Sequence, residues 1–423
     1  MPTAATRVVV TGVGAVTPIG LDAESFRGAL YAGRSGVAKI TQFDCDAPDP
    51  ANGGPQFTTR IAAEVRGFDA ARVLRKAQRY DRASQLALAA ARMALDDAGL
   101  LPGRGPAAGM GIVVGTGGGD MRALEGAATT LAGRGARRVS ATAVTRYMPS
   151  ALPANLAILL GARGPNLGIS SACASATHAI GEAYWMIRRG DAEVMLSGGA
   201  EAAITPVSVA AFGAMGVLSR RNDDPEGASR PFDGERDGFV IGEGAGLVVL
   251  ESLESARSRG ARVHAEIVGY GLTADAYNPS ALRPDPVECV RAIRRALAMA
   301  GLGPEDVDYV NAHGTSTRQN DALETTALKA ALGERAHAVP VSSTKSLLGH
   351  LLSAAGAVEV IATLFALRDQ RLHPTLNRTH PDPDCDLDYV TEGARPAAVG
   401  VALKTSFGLG GHNACLALRR HDG

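Results

Sequence analysis

Along this chain, short uninterrupted apolar runs alternate with longer stretches in which apolar residues recur at helical spacing. Arg7-Val8-Val9-Val10 reads as a buried strand, and Gly12 and Gly14 behind it as tight backbone turns. Residues 81–96, rich in Ala and Leu, predict a helix that Asp81 caps. Residues 111–119 predict a central strand running into a glycine-rich turn, and 166–171 a short strand just before Cys173. A helical run then extends to about Arg189, followed by a buried strand, Val194 to Leu196, that leaves through Gly198 and Gly199. The second half repeats this grammar. Strands are expected at 247–250 and 263–268, and a helix at 287–300 ends on Gly301. Val307 to Asn311 is a strand leading to His313, and Val339 to Ser342 one leading to Lys345. Residues 350–367 predict a long apolar helix, and Val399 to Leu403 a last strand before a glycine-rich loop.

Strands without polar faces, separated by helices, indicate an α/β architecture with helices on both sides of a core sheet. The order strand, Ser/Thr turn and apolar helix occurs around Cys173 and again around Ser342, Lys345 and His350. This weak echo suggests two similar α/β halves meeting at one site. A boundary near residue 260 divides the chain into 1–260, with the cysteine, and 261–423, with the two histidines.

Composition narrows the classes. Lys and Arg total 43 and Asp and Glu total 43, so the formal net charge is zero, which argues against a broadly basic nucleic-acid binder. With 51 glycines in 423 residues, about 12%, and a single Trp, the layers are expected to pack closely through Gly, Ala and Val. Five scattered cysteines without a CxxC pair suit a reducing compartment. The N-terminal segment lacks a basic stretch ahead of an apolar one, and no apolar run approaches the ~18 residues of a membrane span, so a cytoplasmic protein is expected. In TGVGAVTP, Thr17 stands where the dinucleotide fingerprint needs its third glycine, and no phosphate loop of the G-x-x-x-x-G-K-[ST] type occurs.

Three residues stand out chemically. Cys173, in Gly168 to Ala176, lies between a strand end and a helix start, where helix N-terminal amides favour a thiolate able to attack a thioester. A buried structural cysteine is the competing reading. His313 follows a strand in VNAHGTST, and His350 opens the apolar helix in SSTKSLLGH. Each is alternatively a structural histidine. Their spacings match no zinc motif, HExxH is absent, and so is the G-x-S-x-G elbow around these residues.

From about Arg7 to Leu418 the chain resembles the elongating β-ketoacyl-acyl-carrier-protein synthases of the thiolase superfamily, together with the ketosynthase subunits of discrete polyketide systems. The resemblance rests on SACAS at 171–175, SRPFDGERDGFVIGEGAG at 229–246, NAHGTST at 311–317, SSTKSLLGHLLSAAGAVE at 342–359 and SFGLGGHN at 406–413. It implies a duplicated thiolase fold with a five-layered α-β-α-β-α core, and a dimer. Cys173 would accept the acyl group; His313 and His350 would serve malonyl decarboxylation; Lys345 and Glu359 would hold the hydrogen-bond network. Backbone N–H groups of Cys173 and Leu409 would form the oxyanion hole. Thr315, Thr317 and Asn278 would contact the carrier's pantetheine, and Gly118, Phe407 and Leu409 would shape the acyl pocket and its gate. The family needs no cofactor of its own or metal, because phosphopantetheine arrives on the acyl carrier protein. Starter-type relatives use Cys, His and Asn, and chain-length-factor subunits lack the cysteine; neither pattern is found. Cys415, beyond the C-terminal glycine loop, reads as core.

Some positions depart from the family pattern. Leu409 replaces a gate phenylalanine, Gly118 a bulkier residue near the pocket floor, Asn278 a histidine and Arg318 a proline. Together they favour a specialised polyketide or polyene chain over primary fatty-acid elongation. A non-enzymatic carrier-binding dimer partner is the alternative of another class, and the retained Cys173 speaks against it. Expected partners are an acidic carrier protein steered by Arg72, Arg75, Lys76 and Arg79, and either a second copy or a chain-length-factor-like subunit. Neither nucleic acid nor membrane is expected.

Overall fold

The computed structural model describes residues 6–51, 53–101 and 109–422; the first five residues of the N-terminal segment discussed above lie outside them. The strands of the main sheet are β1 (Val8–Val16), β2 (Gly111–Gly115), β3 (Asn166–Ile169), β4 (Val194–Glu201), β5 (Gly244–Ser252), β6 (Ala265–Ala274), β7 (Tyr309–Asn311), β8 (Val341–Ser342), β9 (Val401–Gly408) and β10 (His412–Arg419). They hydrogen-bond in the order β8-β7-β9-β10-β6-β1-β5-β4-β2-β3. Numbered within each half, both arms read third, second, fourth, fifth, first. In both, the third, second and fourth strands are parallel and the fifth is antiparallel to its two neighbours. The arms join where Val8, Val9 and Val10 pair antiparallel with Ile267, Glu266 and Ala265. The echo in the sequence is thus a repeat of strand order.

Six helices set the layers: α1 (Arg82–Asp97), α2 (Met121–Arg134), α3 (Ser175–Arg189), α4 (Val287–Ala300), α5 (Arg318–Leu332) and α6 (Ala355–Asp369). Helices α3 and α6 lie between the two arms; α1 covers the outer face of one arm, and α4 with α5 that of the other. This is the five-layered thiolase arrangement. The two-residue period of the strands sorts their side chains among three cores. Val113, Val248, Leu250, Ala402, Leu416 and Leu418 face the central helices. Ile112, Val114, Leu247 and Val249 face α1, while Leu403, Cys415 and Ala417 face α4 and α5. With both faces covered the strands need no polar positions, which is why they read as continuous apolar runs. Cys415 is core, as expected. Helix α6 is largely apolar because Ala355 through Leu367 are buried without a break; Glu359 among them is paired with lysines.

The two central helices touch almost backbone to backbone. A Cβ built on Gly356 of α6 would lie 2.1 Å from Thr177 Oγ1 of α3. The Thr177 hydroxyl is hydrogen-bonded at 2.7 Å to Ser406 of β9.

One sequence expectation holds and two shift. Asp81 caps α1 through the Ser84 N–H as expected, at 2.8 Å, with the first helical residue at Arg82. Gly12 and Gly14, however, are not turns: both lie inside β1, where a Cβ on either would stand 2.0 Å from a carbonyl oxygen of α1, Ala94 or Ala90. They are glycine because the helix presses on the strand. The apolar helix begins at Ala355, not at residue 350, leaving His350 in an irregular segment pinned by its N–H to Val240 O at 2.7 Å. Because Gly14 sits against helix backbone that cannot step aside, Gly14→Ala should cost about 3 kcal/mol. This is checked by a clear fall in thermal midpoint; an unchanged midpoint would contradict the close packing.

Candidate active site

Cys173 lies in the bend between β3 and α3, two residues before the first helical residue. Ala172 ahead of it has a φ of 50°, a left-handed conformation that non-glycine residues rarely adopt, and so turns the chain sharply at the sulfur. The loop after β9 comes down on the same spot. A Cβ on Gly408 would approach Ser171 O to 3.0 Å and Cys173 N to 3.2 Å, so only glycine lets the next residue bring its backbone N–H to the thiol. Backbone N–H groups of both Leu409 and Cys173 interact with that sulfur.

His313 and His350 arrive from the other arm. The sulfur of Cys173 lies 3.0 Å from His350 Nε2, the two imidazole rings are 5.4 Å apart and nearly perpendicular, and the sulfur and one nitrogen of each ring all lie within 4.8 Å of one another. Both histidines are almost fully buried, while Cys173 is partly exposed to the cavity.

The tautomers follow from the partners. Lys345 Nζ, a donor only, is 3.2 Å from His313 Nδ1, and the Leu352 N–H donates to His350 Nδ1 at 3.2 Å. Each Nδ1 is therefore the acceptor, and each ring carries its proton on Nε2. Burial first, then the charges of Lys345 and Lys404, hold both imidazoles well below their ordinary protonation range, so both are neutral donors. Burial pushes the Cys173 thiol up to about 11, opposed by Lys345 and the Leu409 N–H. Burial thus works against the thiolate that the helix start favours.

Lys345 is itself buried and donates to His313 O at 2.6 Å and to Glu359 Oε1 at 2.5 Å. Two further residues complete this layer, and the sequence reading missed both. Glu324 of α5 accepts from His313 N at 2.8 Å and Gly314 N at 2.7 Å, anchoring the turn that carries the histidine. Lys404 of β9, fully buried, has its Nζ 2.8 Å from Glu359 Oε2. The signal for Lys404 was a lysine continuing an apolar strand in phase with Ala402, which puts it on the face toward α6.

A cavity of about 610 Å³ opens at these groups. Cys173, His313, His350, Phe407 and Leu409 form its reactive end, Thr315, Thr317 and Arg318 a polar side, and Gly118, Met121, Val207 and Phe212 an apolar side. Thr315 and Thr317 share a hydrogen bond of 2.9 Å. Met121 partly fills the space freed at Gly118: a Cβ there would stand 3.3 Å from its sulfur. Lys345 and Glu359 stand behind His313 rather than on the wall. Asn278 is exposed and off the wall, its Oδ1 accepting from Ser280 N and Ala281 N, while Ser280 itself reaches the cavity. The three reactive atoms are close enough to meet one small ion, but the ammonium groups behind them favour an anion instead.

Because the thiol titrates high, iodoacetamide labelling of Cys173, followed by peptide mass mapping, should quicken about tenfold per pH unit from pH 7 to 9. A plateau below pH 8 would show a thiolate already formed.

The chain matches the family model "Beta-ketoacyl synthase, N-terminal domain" over residues 5–256 and "Beta-ketoacyl synthase, C-terminal domain" over 264–379. It is 46% identical over 418 residues to a 3-oxoacyl-[acyl-carrier-protein] synthase 2 of Synechocystis sp., covering 98% of each chain. A protein of the same name from Staphylococcus aureus is 43% identical, with 98% and 99% covered. Among solved structures, a type II PKS ketosynthase bound to the hexaketide and in complex with its acyl-carrier protein superposes with a TM-score of 0.90 at 35% identity, covering 99% of this chain and all of that one. The ishigamide ketosynthase/chain length factor gives 0.91 at 36%, with the same coverage. Fold, paired family models and full-length relatives agree: the chain belongs to the β-ketoacyl synthase family.

Proposed function

We propose that this protein is an elongating β-ketoacyl-acyl-carrier-protein synthase, with Cys173 as nucleophile and His313 and His350 as the decarboxylation pair. The observation that carries this reading is the meeting of one thiol and two neutral Nε2–H donors at the end of a single cavity.

The thiol attacks the carbonyl of an acyl thioester, the carrier's sulfur departs, and the thiol's proton ends on that sulfur, leaving an acyl-cysteine and the free carrier thiol. A malonyl thioester then takes the carrier's place. As its carboxylate leaves as carbon dioxide, the bonding pair moves toward the thioester oxygen, where two Nε2–H groups meet the growing charge. The enolate carbon attacks the acyl-cysteine carbonyl. The oxygen of the tetrahedral species lies toward the N–H groups of Cys173 and Leu409, and collapse expels the Cys173 sulfur. The product is a β-ketoacyl thioester two carbons longer. Neutral histidines serve here as hydrogen-bond donors through Nε2–H and need not transfer a proton.

The 1–260 and 261–423 division is read as two thiolase-like halves, supported by the repeated strand order and by the break between β5 and β6. A dimer is supported by β3, a largely exposed edge strand, and by exposed apolar residues near it in sequence: Leu124 and Leu131 on α2, Ile158, and Leu167 on β3 itself. The partner is a second copy or a homologous subunit lacking the cysteine. Arg75, Lys76 and Arg79 are exposed, suiting an acidic carrier protein. Substrates arrive on phosphopantetheine, past Thr315 and Thr317, and the protein works in the cytoplasm; among the described residues no helix is long and apolar enough to cross a membrane. Leu409 and Gly118 support a specialised polyketide or polyene chain over a primary fatty acid.

Cys173→Ala should abolish the acyl adduct seen by mass spectrometry and all condensation with malonyl-carrier protein, while the protein stays folded. An adduct persisting on another residue would defeat the assignment. Gly118→Ile should shorten the longest acyl chain accepted, once Met121 no longer has room to turn aside. Unchanged product lengths, measured with matched carrier proteins, would place the pocket floor elsewhere.

A further inference from the structure

Lys404 has no part in the steps above, yet it is the second buried lysine on one carboxylate. Its side chain is fully buried, on the face of β9 that meets α6. Its Nζ is 2.8 Å from Glu359 Oε2 and 3.2 Å from Ser406 Oγ, and it also donates to Thr405 O. Glu359, 2% exposed, gives its other oxygen to Lys345. Oε2 accepts no hydrogen bond among the described residues; the Lys404 ammonium is its ion-pair partner. Without Lys404 that oxygen would be a bare buried charge, and the only cation left to share is Lys345, which also holds His313 Nδ1.

We propose that Lys404 is a positioning residue for the two-histidine site: its ammonium occupies the second oxygen of Glu359, so that Lys345 stays on His313 Nδ1 and the His313 proton stays on Nε2, facing the substrate. This rests on the two-histidine reading above.

The surroundings support a specific electrostatic role. Several charged or titratable groups face the two imidazoles: Cys173 from the bend before α3, Lys345, Glu359 of α6, Glu324 of α5 and Lys404 of β9. Glu201, Asp237 and Arg318 stand further along the cavity wall. Of the cations, both Lys345 and Lys404 press His313 and His350 toward the neutral form. Burial pulls Lys404 toward its own neutral form, and Glu359 opposes this. Lys404 therefore does two things a methionine of similar length cannot do. It sets a positive charge against Glu359 Oε2, and it keeps a positive charge behind the histidines when the substrate's carboxylate enters.

The test is the pH dependence of carbon dioxide release from malonyl-carrier protein by the full-length enzyme. Wild type, Lys404→Met, Lys404→Gln and Lys404→Ala are compared, the last with and without added ammonium chloride, using sodium chloride as the ionic-strength control. In Lys404→Met the acid limb of kcat should move up by about one pH unit, since removing a positive charge eases histidine protonation. The kcat at pH 7 should fall about tenfold or more with KM little changed. Lys404→Gln, which donates without a charge, should recover kcat in part but keep the shifted limb. Ammonium should restore Lys404→Ala where sodium does not. An unshifted acid limb with full kcat in Lys404→Met would overturn the proposal. So would a loss of activity that follows loss of folded protein in all three variants, which would make Lys404 a folding element. His313→Ala, run alongside, separates the two readings: if it retains decarboxylation the histidine pair itself is wrong, whereas its failure beside an unaffected Lys404→Met removes only the role given to Lys404.

Discussion

The contact of α3 with α6 at Thr177 and Gly356 governs everything else in this molecule. Residues far apart in sequence share a site only because two helices from different arms are pressed together by a missing side chain. Each helix is preceded by a short irregular segment, one bearing Cys173 and the other His350. Once the helices are fixed at backbone distance, those segments meet. The Thr177 hydroxyl extends the same contact to β9, which carries the loop with Leu409. A larger residue at position 356 would part the arms and the reactive groups with them.

The chemistry that follows is that of a site built to receive negative charge. Burial disfavours the charged form of the sulfur and of both imidazoles, and the ammonium groups sit behind them, Lys345 against the His313 ring. In the proposed mechanism, charge develops during the reaction, against donors that are already aimed. Such preorganisation costs little at the moment of bond breaking, because no dipole has to turn. The expense is in folding, where Lys345, Lys404, Glu359 and Glu324 must all be desolvated and paired.

Much of this was legible in the amino-acid order. Strands covered on both faces betray themselves as unbroken apolar runs, and α6, buried on all sides, does likewise. The reactive trio could be named because Cys173, His313 and His350 lie in long motifs that resemble one family. What the order concealed was backbone proximity between elements. Gly12 and Gly14 look like turn formers from local rules, yet their role is to admit a helix that lies far along the chain, carrying Ala90 and Ala94, but adjacent in space. His350 was taken into the helix because its apolar neighbours continue without interruption, whereas a backbone bond to Val240 holds that segment off helical geometry. Lys404 was passed over because a lysine at the end of an apolar run looks like the strand's exit; its burial depends on Glu359, which comes from another layer.

The exposed edge at Asn166–Ile169 runs into Cys173 within four residues. A neighbour that lent this strand its missing ladder of backbone bonds would stiffen the very stretch of chain on which the nucleophile is mounted. Pairing at this edge would in that sense reach the thiol through one short piece of main chain.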